Sequence, residues 1–234
     1  MTSLSVHGIK VPLSPSDVSP VVWQALASET YEAKEAKCIF KAVRAGDRVL
    51  ELGSGVGIIT SLIATIDSVH VWAFEANPNT VRLARRVIAA NDLDNVELLQ
   101  GVLTAGAPRP LTFYIRKDLW MSSMDKDQGP FESEYSIKST NIDQFISVHD
   151  VNVLVMDIEG AEKDLILHAE LRGIERIFLE LHDHLYGLAR IRDITQALAA
   201  KGYAYDPRGS RGPCVLFAKD DGPREYVEME ADES

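Results

Sequence analysis

The sequence predicts an α/β fold, a doubly wound and mainly parallel sheet with helices on both faces, and three observations predict it. Short β-rich runs alternate with helical runs from residue 48 to residue 201, the pattern of repeated βα units. The first strand runs straight into glycines at alternate positions, Gly53-Ser54-Gly55-Val56-Gly57. The second strand ends on an acid, Glu75. In open sheets of this kind a ligand sits beyond the carboxyl ends of the strands, where the strand order reverses.

Residues 1–20 carry three prolines and little periodicity and are expected to form an arm. Val22, Ala25, Leu26, Ala33, Ala36, Ile39 and Phe40 recur at helical spacing, which predicts a helix over 21–44. Ala45-Gly46-Asp47 reads as a turn, Arg48–Leu52 as the first strand, 58–66 as a helix and 70–74 as the second strand. Asn77-Pro78 starts the next helix, with Asn as N-cap and Pro at the first helical position. Val96–Gln100 is the third strand. Residues 104–150 break the rhythm. They hold one strand over 111–116, a strand and helical turn over 136–146, and between them a polar stretch of the kind that forms a lid or binding loop. Alternation resumes with Val153–Met156 (strand), 161–170 (helix), 176–181 (strand) and 191–201 (helix), and 203–205 with 215–218 reads as a closing antiparallel pair. The expected organisation is therefore an arm and helix (1–44), one α/β domain (45–219, insertion 104–150) and an acidic tail (220–234).

Composition excludes several classes of function. A chain of 234 residues, 46% hydrophobic and 25% charged, has the profile of one globular domain with extensions. No apolar run approaches a membrane span of about 18 residues, and no basic segment followed by an apolar stretch opens the chain, so a cytoplasmic protein without membrane partners is expected. Cys38 and Cys214 lie in no metal-ligand spacing and are expected to be reduced, buried thiols. The formal charge is −11, and the last fifteen residues hold seven acids and one arginine, which leaves −5 for residues 1–219. Without a basic stripe to meet phosphates, a nucleic-acid partner is not expected. The tail is expected to be a solvated end.

The run Val49-Leu50-Glu51-Leu52-Gly53-Ser54-Gly55-Val56-Gly57 is the strongest signal. A glycine-rich turn alone is weak evidence, because many nucleotide-binding folds use one. Two details separate the options. The sixth position of GxGxxG is Ile58, where a dinucleotide fingerprint wants Gly or Ala, and Glu51 precedes the glycines. A carboxylate there would repel a pyrophosphate and suit the ammonium and sulfonium of S-adenosylmethionine. Glu75, about 20 residues on, is placed to accept hydrogen bonds from both ribose hydroxyls.

Over about residues 30–219 the chain resembles the FkbM-like family of class I S-adenosylmethionine-dependent methyltransferases. The likeness is carried by Tyr31-Glu32 and Glu35 ahead of GDRVLELGSGVG, by AFEANPNTV, by Asn91 and Asn95 with Gly101-Val102-Leu103, and by Ser139-Thr140-Asn141-Ile142-Asp143. Its most specific part is Val155-Met156-Asp157-Ile158-Glu159-Gly160-Ala161-Glu162, followed by Leu179-Glu180-Leu181-His182. Where the family commonly has a DVGAN-like first motif, this chain has Glu51 and Ser54-Gly55. The resemblance implies a seven-stranded, Rossmann-like sheet with a reversed last strand, and methyl transfer to oxygen, often on sugars or secondary metabolites.

On this reading Glu51, Gly53, Ser54, Gly55 and Gly57 hold the cofactor from the first turn, and Glu75 with Ala76 from the second strand. Gly101 and Val102 hold it from the third, joined by Asp157 and Tyr31. Asp157 lines the methyl-transfer position, Glu159 is a candidate for substrate contact or proton acceptance, and His182, at the end of strand five, for general base. Glu162 reads as a first-turn acid that favours the helix dipole. Asp157, Glu159, Glu180 and His182 offer an oxygen-rich set for Mg²⁺, but no tight ligand motif requires it and no metal is expected. Trp120, Met121, Ser122 and Ser123 belong to the loop that closes over cofactor or substrate. The expected acceptor is a small molecule, and the habit of the fold allows a homodimer. Nitrogen and carboxylate acceptors, a nicotinamide-dependent oxidoreductase and a non-catalytic binding module are the alternatives.

Overall fold

The computed structural model describes residues 4–219 and 222. The chain opens with a hairpin of β1 (Leu4–Val6) and β2 (Ile9–Val11), turned by His7 and Gly8, both at positive φ. The expected arm is thus ordered. Val6, Ile9, Val11 and Leu13 alternate inward and are buried in the main core. The hairpin is pinned to the sheet's helical layer by Asn91, which accepts from Lys10 N and donates to Lys10 O.

The helix expected over 21–44 is two helices, α1 (Pro20–Ala27) and α2 (Ala33–Ala42). Ser28 ends α1 through its backbone N–H and its hydroxyl, both donated to Gln24 O, and Glu29 and Glu32 adopt left-handed backbone. The apolar spacing was real, but side-chain periodicity cannot report a local cap that stops one helix and restarts another.

The α/β body follows: β3 (Arg48–Leu52), α3 (Ile58–Ala64), β4 (His70–Glu75), α4 (Pro78–Ala90), β5 (Val96–Gln100). Asn77 caps α4 by accepting from Asn79 N, with Pro78 opening the helix as its sequence predicts. Next come β6 (Val102–Thr104), β7 (Pro110–Ile115), a 3-10 turn at Leu119–Met121, and β8 (Ser133–Asn141). The remainder is α5 (Ile142–His149), β9 (Val153–Met156), α6 (Glu162–His168), β10 (Arg176–Glu180), α7 (Asp183–Ala200), β11 (Tyr203–Arg211) and β12 (Cys214–Lys219). Helix α7 begins eight residues earlier than its sequence suggests and breaks at Gly187.

The main sheet has seven strands in the order β11-β12-β10-β9-β3-β4-β5. All neighbours from β10 to β5 are parallel, and only β12 runs against its neighbours, wedged between β10 and β11. The reversed last strand is the one the resemblance implies. Sequence order reverses between β3 and β9, so the crevice at their carboxyl ends is the place for a ligand. The insertion is a small sheet of its own, β6-β8-β7, with β7 and β8 as a long antiparallel ribbon. Its connecting loop is held by Arg116, whose buried guanidinium donates to Met121 O, Ser123 Oγ and Asp125 O.

At the opposite, amino end of the strands, Arg176 donates two hydrogen bonds to Asp47, at 2.9 and 2.7 Å, and a third to Ala42 O. Asp47 also accepts from Arg44 N and from Asn152 Nδ2, so one carboxylate joins the ends of β3, β9 and β10. Both partners are buried, and removing the negative charge leaves the guanidinium only the exposed Glu175 carboxylate, 3.7 Å away. Asp47→Asn is expected to cost about 2 kcal/mol in urea denaturation. A loss within error of zero would show that this clamp is not needed.

Cys38 and Cys214 are both buried thiols. No helix among the described residues is long and apolar enough to cross a membrane. The acidic tail 220–234 lies, apart from Gly222, outside the described residues.

Candidate functional site

The glycine turn leaves β3 at its carboxyl end. Gly53 N and Ser54 N both donate to Phe74 O, which folds the turn back over the end of β4. Gly53 has φ +85, and a Cβ there would fall 1.8 Å from Asp157 O, so backbone passes directly over backbone. Gly55 has φ +52, and a Cβ would stand 2.9 Å from the Tyr31 hydroxyl. The absent side chains are what lets the turn pass under the α1–α2 connection.

Glu75 ends β4 and clips this turn in place. Its Oε2 accepts from Gly55 N at 3.0 Å and its Oε1 from Asn77 N at 2.8 Å. Each oxygen retains acceptor capacity for a further donor. Burial pushes the Glu75 carboxyl up to about 7, against the pull of those backbone donors.

A cavity of about 590 Å³ opens here. Its floor is Gly53, Gly55, Glu75, Ala76, Gly101 and Val102, all from carboxyl ends of β3, β4 and β5. One side is the α1–α2 connection with Tyr31, Glu32 and Glu35, and another is Asp157, Glu159 and Glu180. The insertion supplies the remaining wall through Phe113, Trp120, Ser122, Ser123 and Met124. Trp120 lies against Tyr31, ring centroids 6.0 Å apart.

Four of the residues expected to face a ligand do not line this cavity. Glu51 is 2% exposed and accepts from the Thr60 hydroxyl. Alternation along β3 puts it on the face of Val49, toward α3, while Leu50 and Leu52 take the other face. It borders only a small recess behind the cavity, shared with Glu32, Glu35 and Glu180. Ser54 is buried with its hydroxyl unpartnered. Gly57 serves packing, since a Cβ would meet that of Ala84 on α4 at 3.3 Å. His182 is 4% exposed and sits behind the acids rather than in front of them. Its Nε2 is 3.3 Å from Asp157 Oδ1, 3.6 Å from Glu159 Oε2 and 3.8 Å from Glu180 Oε2.

Glu162 does more than favour a helix dipole. It is 0% exposed, its Oε1 accepts from Ile158 N and Gly160 N, and the same oxygen lies 3.3 Å from His182 Nδ1. It thereby shapes the 158–160 turn, where Glu159 takes φ 50 and Gly160 φ 101. Its place in the D-x-E-G-x-E element was the available signal. For Phe113 and Met124 there was none, because only the ribbon's return over the sheet brings them in.

Six carboxylates line the cavity, from Glu32, Glu35, Glu75, Asp157, Glu159 and Glu180, against one lysine, Lys34. Burial and the Asp157 charge push Glu159 and Glu180 up to about 8. Burial also raises Asp157, with His182 opposing. For His182 burial works against the charge, but Asp157 and Glu162 outweigh it and push the ring up to about 11. Such a lining favours a cationic ligand. S-adenosylmethionine fits this lining: the Gly53–Gly55 backbone leaves room for close approach, Glu75 would offer lone pairs to ribose hydroxyls, and the acids would answer the ammonium and sulfonium.

Glu51 has a consequence for stability. Burial pushes its carboxyl from 4.5 up to about 8, with the Thr60 hydroxyl pulling the other way. The folded chain keeps this proton where the unfolded chain has lost it. Its contribution is therefore complete below pH 4.5 and is lost as pH rises toward about 8. Apo protein is expected to lose stability across that window, at no more than about 1.4 kcal/mol per pH unit from this proton. Glu51→Gln should flatten the slope and exceed the parent at the alkaline end in urea denaturation. Equal slopes would mean that Glu51 is already ionised in the fold.

Among curated proteins, the ribosomal protein L11 methyltransferase of Acetivibrio thermocellus is 30% identical over 81 residues, 34% of this chain. The match spans only 26% of that relative, about a quarter of its length. Among solved structures, precorrin-6y C5,15-methyltransferase from Geobacter metallireducens shares the fold with a TM-score of 0.51 at 10% identity, covering 81% of this chain and 89% of that one. Residues 56–205 match the methyltransferase FkbM domain. That stretch takes in the end of the glycine turn, the acid of β4, the whole insertion and the Asp157–Glu162 element, and the chain belongs to the FkbM methyltransferase domain family.

Proposed function

We propose that this protein is an S-adenosylmethionine-dependent methyltransferase whose acceptor is a hydroxyl on a small molecule such as a sugar or secondary metabolite. The observation that carries the reading is the Glu75 carboxylate clipped to Gly55 on one side of a single cavity, with the carboxylates of Asp157 and Glu159 on another. When bound, S-adenosylmethionine supplies a methyl group already activated by its sulfonium. The chain's own work is alignment, exclusion of water and handling of one proton. Glu75 and the glycine backbone fix the nucleoside end. Trp120 and Tyr31 cover the cavity from the insertion and from the α1–α2 connection. Asp157 and Glu159 orient the acceptor hydroxyl, and the Glu159 carboxylate takes its proton as the methyl group passes from sulfur to oxygen, with S-adenosylhomocysteine as the leaving group. His182 acts through these acids as a positioning residue.

A small acceptor is favoured because the insertion walls the cavity, and the −11 charge of the chain disfavours a nucleic acid. The L11-type relative's name speaks of a protein acceptor; here the covered cavity favours a smaller one. The six-acid lining favours a second reading, transfer to an amine.

Calorimetric titration with S-adenosylhomocysteine, NAD in parallel, tests the cofactor. Micromolar binding of the first and none of the second is expected, and the reverse would make the protein an oxidoreductase. Transfer of labelled methyl to paired hydroxyl and amine acceptors tests the atom. Glu159→Gln should lower kcat on a hydroxyl acceptor about 100-fold; an unchanged rate removes Glu159 from proton transfer.

A further inference from the structure

Behind the cavity wall, the carboxyl ends of β9 and β10 bring a histidine and several acids to one point. One donor atom each from Asp157, Glu180 and His182 lies within 4.8 Å of the other two. The separations from His182 Nε2 to Asp157, Glu159 and Glu180 are 3.3, 3.6 and 3.8 Å. Charge-assisted hydrogen bonds would sit at about 2.8 Å. Ligands held about 2.1 Å from one metal ion are roughly 3.0 to 3.4 Å apart along the edges of an octahedron or tetrahedron. The observed spacings lie nearer the second figure than the first.

The far side of the imidazole has the matching feature. His182 Nδ1 faces Glu162 Oε1 at 3.3 Å, and that carboxylate is fully buried and fixed by two backbone N–H groups. Metal-bound histidines turn their second nitrogen to such a carboxylate, which sets the tautomer and the ring's orientation. His182 N also donates to the Tyr186 hydroxyl at 2.8 Å, which holds the backbone under the ring. Independently of the charges, hydrogen bonding here is unfinished. On the Nε2 side of the ring, Asp157 Oδ1 is buried without a hydrogen-bond partner, and His182 itself is only 4% exposed. Buried polar atoms are rarely left in that state unless something else completes them.

We infer that Asp157, Glu180 and His182 form a binding site for a divalent cation, with Glu159 at its rim. One imidazole and two carboxylates suit Mn²⁺ or Zn²⁺. Asp157, Glu159 and Glu180 also line the cavity, so an ion held there would border the same space. The site stands on its own geometry; a role in holding the acceptor's oxygen rests on the methyl-transfer reading.

The test uses the full chain, stripped with EDTA and titrated with Mn²⁺, the free ion being followed by its paramagnetic resonance. Saturable, stoichiometric binding well below about 1 mM is expected. Glu180→Gln and His182→Gln should each abolish it or weaken it at least about 10-fold, and Glu162→Gln should weaken it about 10- to 100-fold. Thermal melts identify variants that do not fold, and the parent titration decides alone if none does. Absence of saturable binding by the parent overturns the inference, as does parent-like binding by folded Glu180→Gln and His182→Gln. S-adenosylhomocysteine calorimetry on the same stripped sample separates the two proposals. Cofactor binding without Mn²⁺ binding removes the cation site and leaves the methyltransferase reading. Mn²⁺ binding without cofactor binding does the opposite.

Discussion

Glu75→Gln is expected to weaken S-adenosylhomocysteine binding about 100-fold in calorimetry, or about 2.7 kcal/mol. The carboxylate has two duties that an amide cannot combine. It accepts from Gly55 N and from Asn77 N, one on each oxygen. An amide presents one oxygen and one NH₂, so one backbone donor then faces another donor, and the glycine turn loses half its clip. The ribose hydroxyls lose acceptors at the same time. Each charge-assisted bond of this kind contributes roughly 1.5 to 3 kcal/mol. Glu75→Asp keeps the charge but shortens the reach and should fall between the two. Parent-like affinity in Glu75→Gln would mean that the ribose is held elsewhere in the cavity.

Gly53→Ala should have the largest effect on the folded state. The added methyl would lie 1.8 Å from Asp157 O, a main-chain atom that no rotamer change can move aside, at a φ of +85. Relief requires β3 and β9 to part at their carboxyl ends, where Asp157 N donates to Leu52 O. The cost is expected to exceed about 4 kcal/mol, a fall in Tm of roughly 8 to 16 °C for a chain of this size. Gly55→Ala is the comparison. Its methyl would press on the Tyr31 hydroxyl and Glu32 Oε1, both at ends of side chains, so it should lower cofactor affinity more than stability. A Gly53→Ala protein melting within error of the parent would show that the turn has room the geometry denies it.

Much of the site was legible before folding. Gly53, Gly55, Glu75, Ala76, Gly101, Val102, Asp157 and Glu159 all fall at strand ends, and all line the cavity. In a parallel sheet, strand ends converge on one edge whatever the rest of the chain does, so position in sequence translates directly into position in space. Tyr31 came from the resemblance alone, since nothing in a helical run tells which residue will arch over a turn twenty residues later. Glu51 and His182 show the opposite case. Their chemistry suited the reading, but the alternation of β3 turned Glu51 toward Thr60, and the turn after β10 drew His182 behind the acids it was expected to join.

The sequence by itself determined the alternation of strands and helices, the glycine turn, the acid of β4 and the D-x-E-G-x-E element, because each is a local pattern set by backbone sterics or side-chain period. The tertiary structure alone decided the rest. It broke the first long helix into α1 and α2, ordered the arm as a hairpin, and laid the β7–β8 ribbon beside the cavity. It also added Glu162 to the set of Asp157, Glu159, Glu180 and His182 and fixed the distances of all four acids from one ring. Those outcomes depend on contacts between distant segments, where burial and the need to pair every buried polar atom outweigh any local preference.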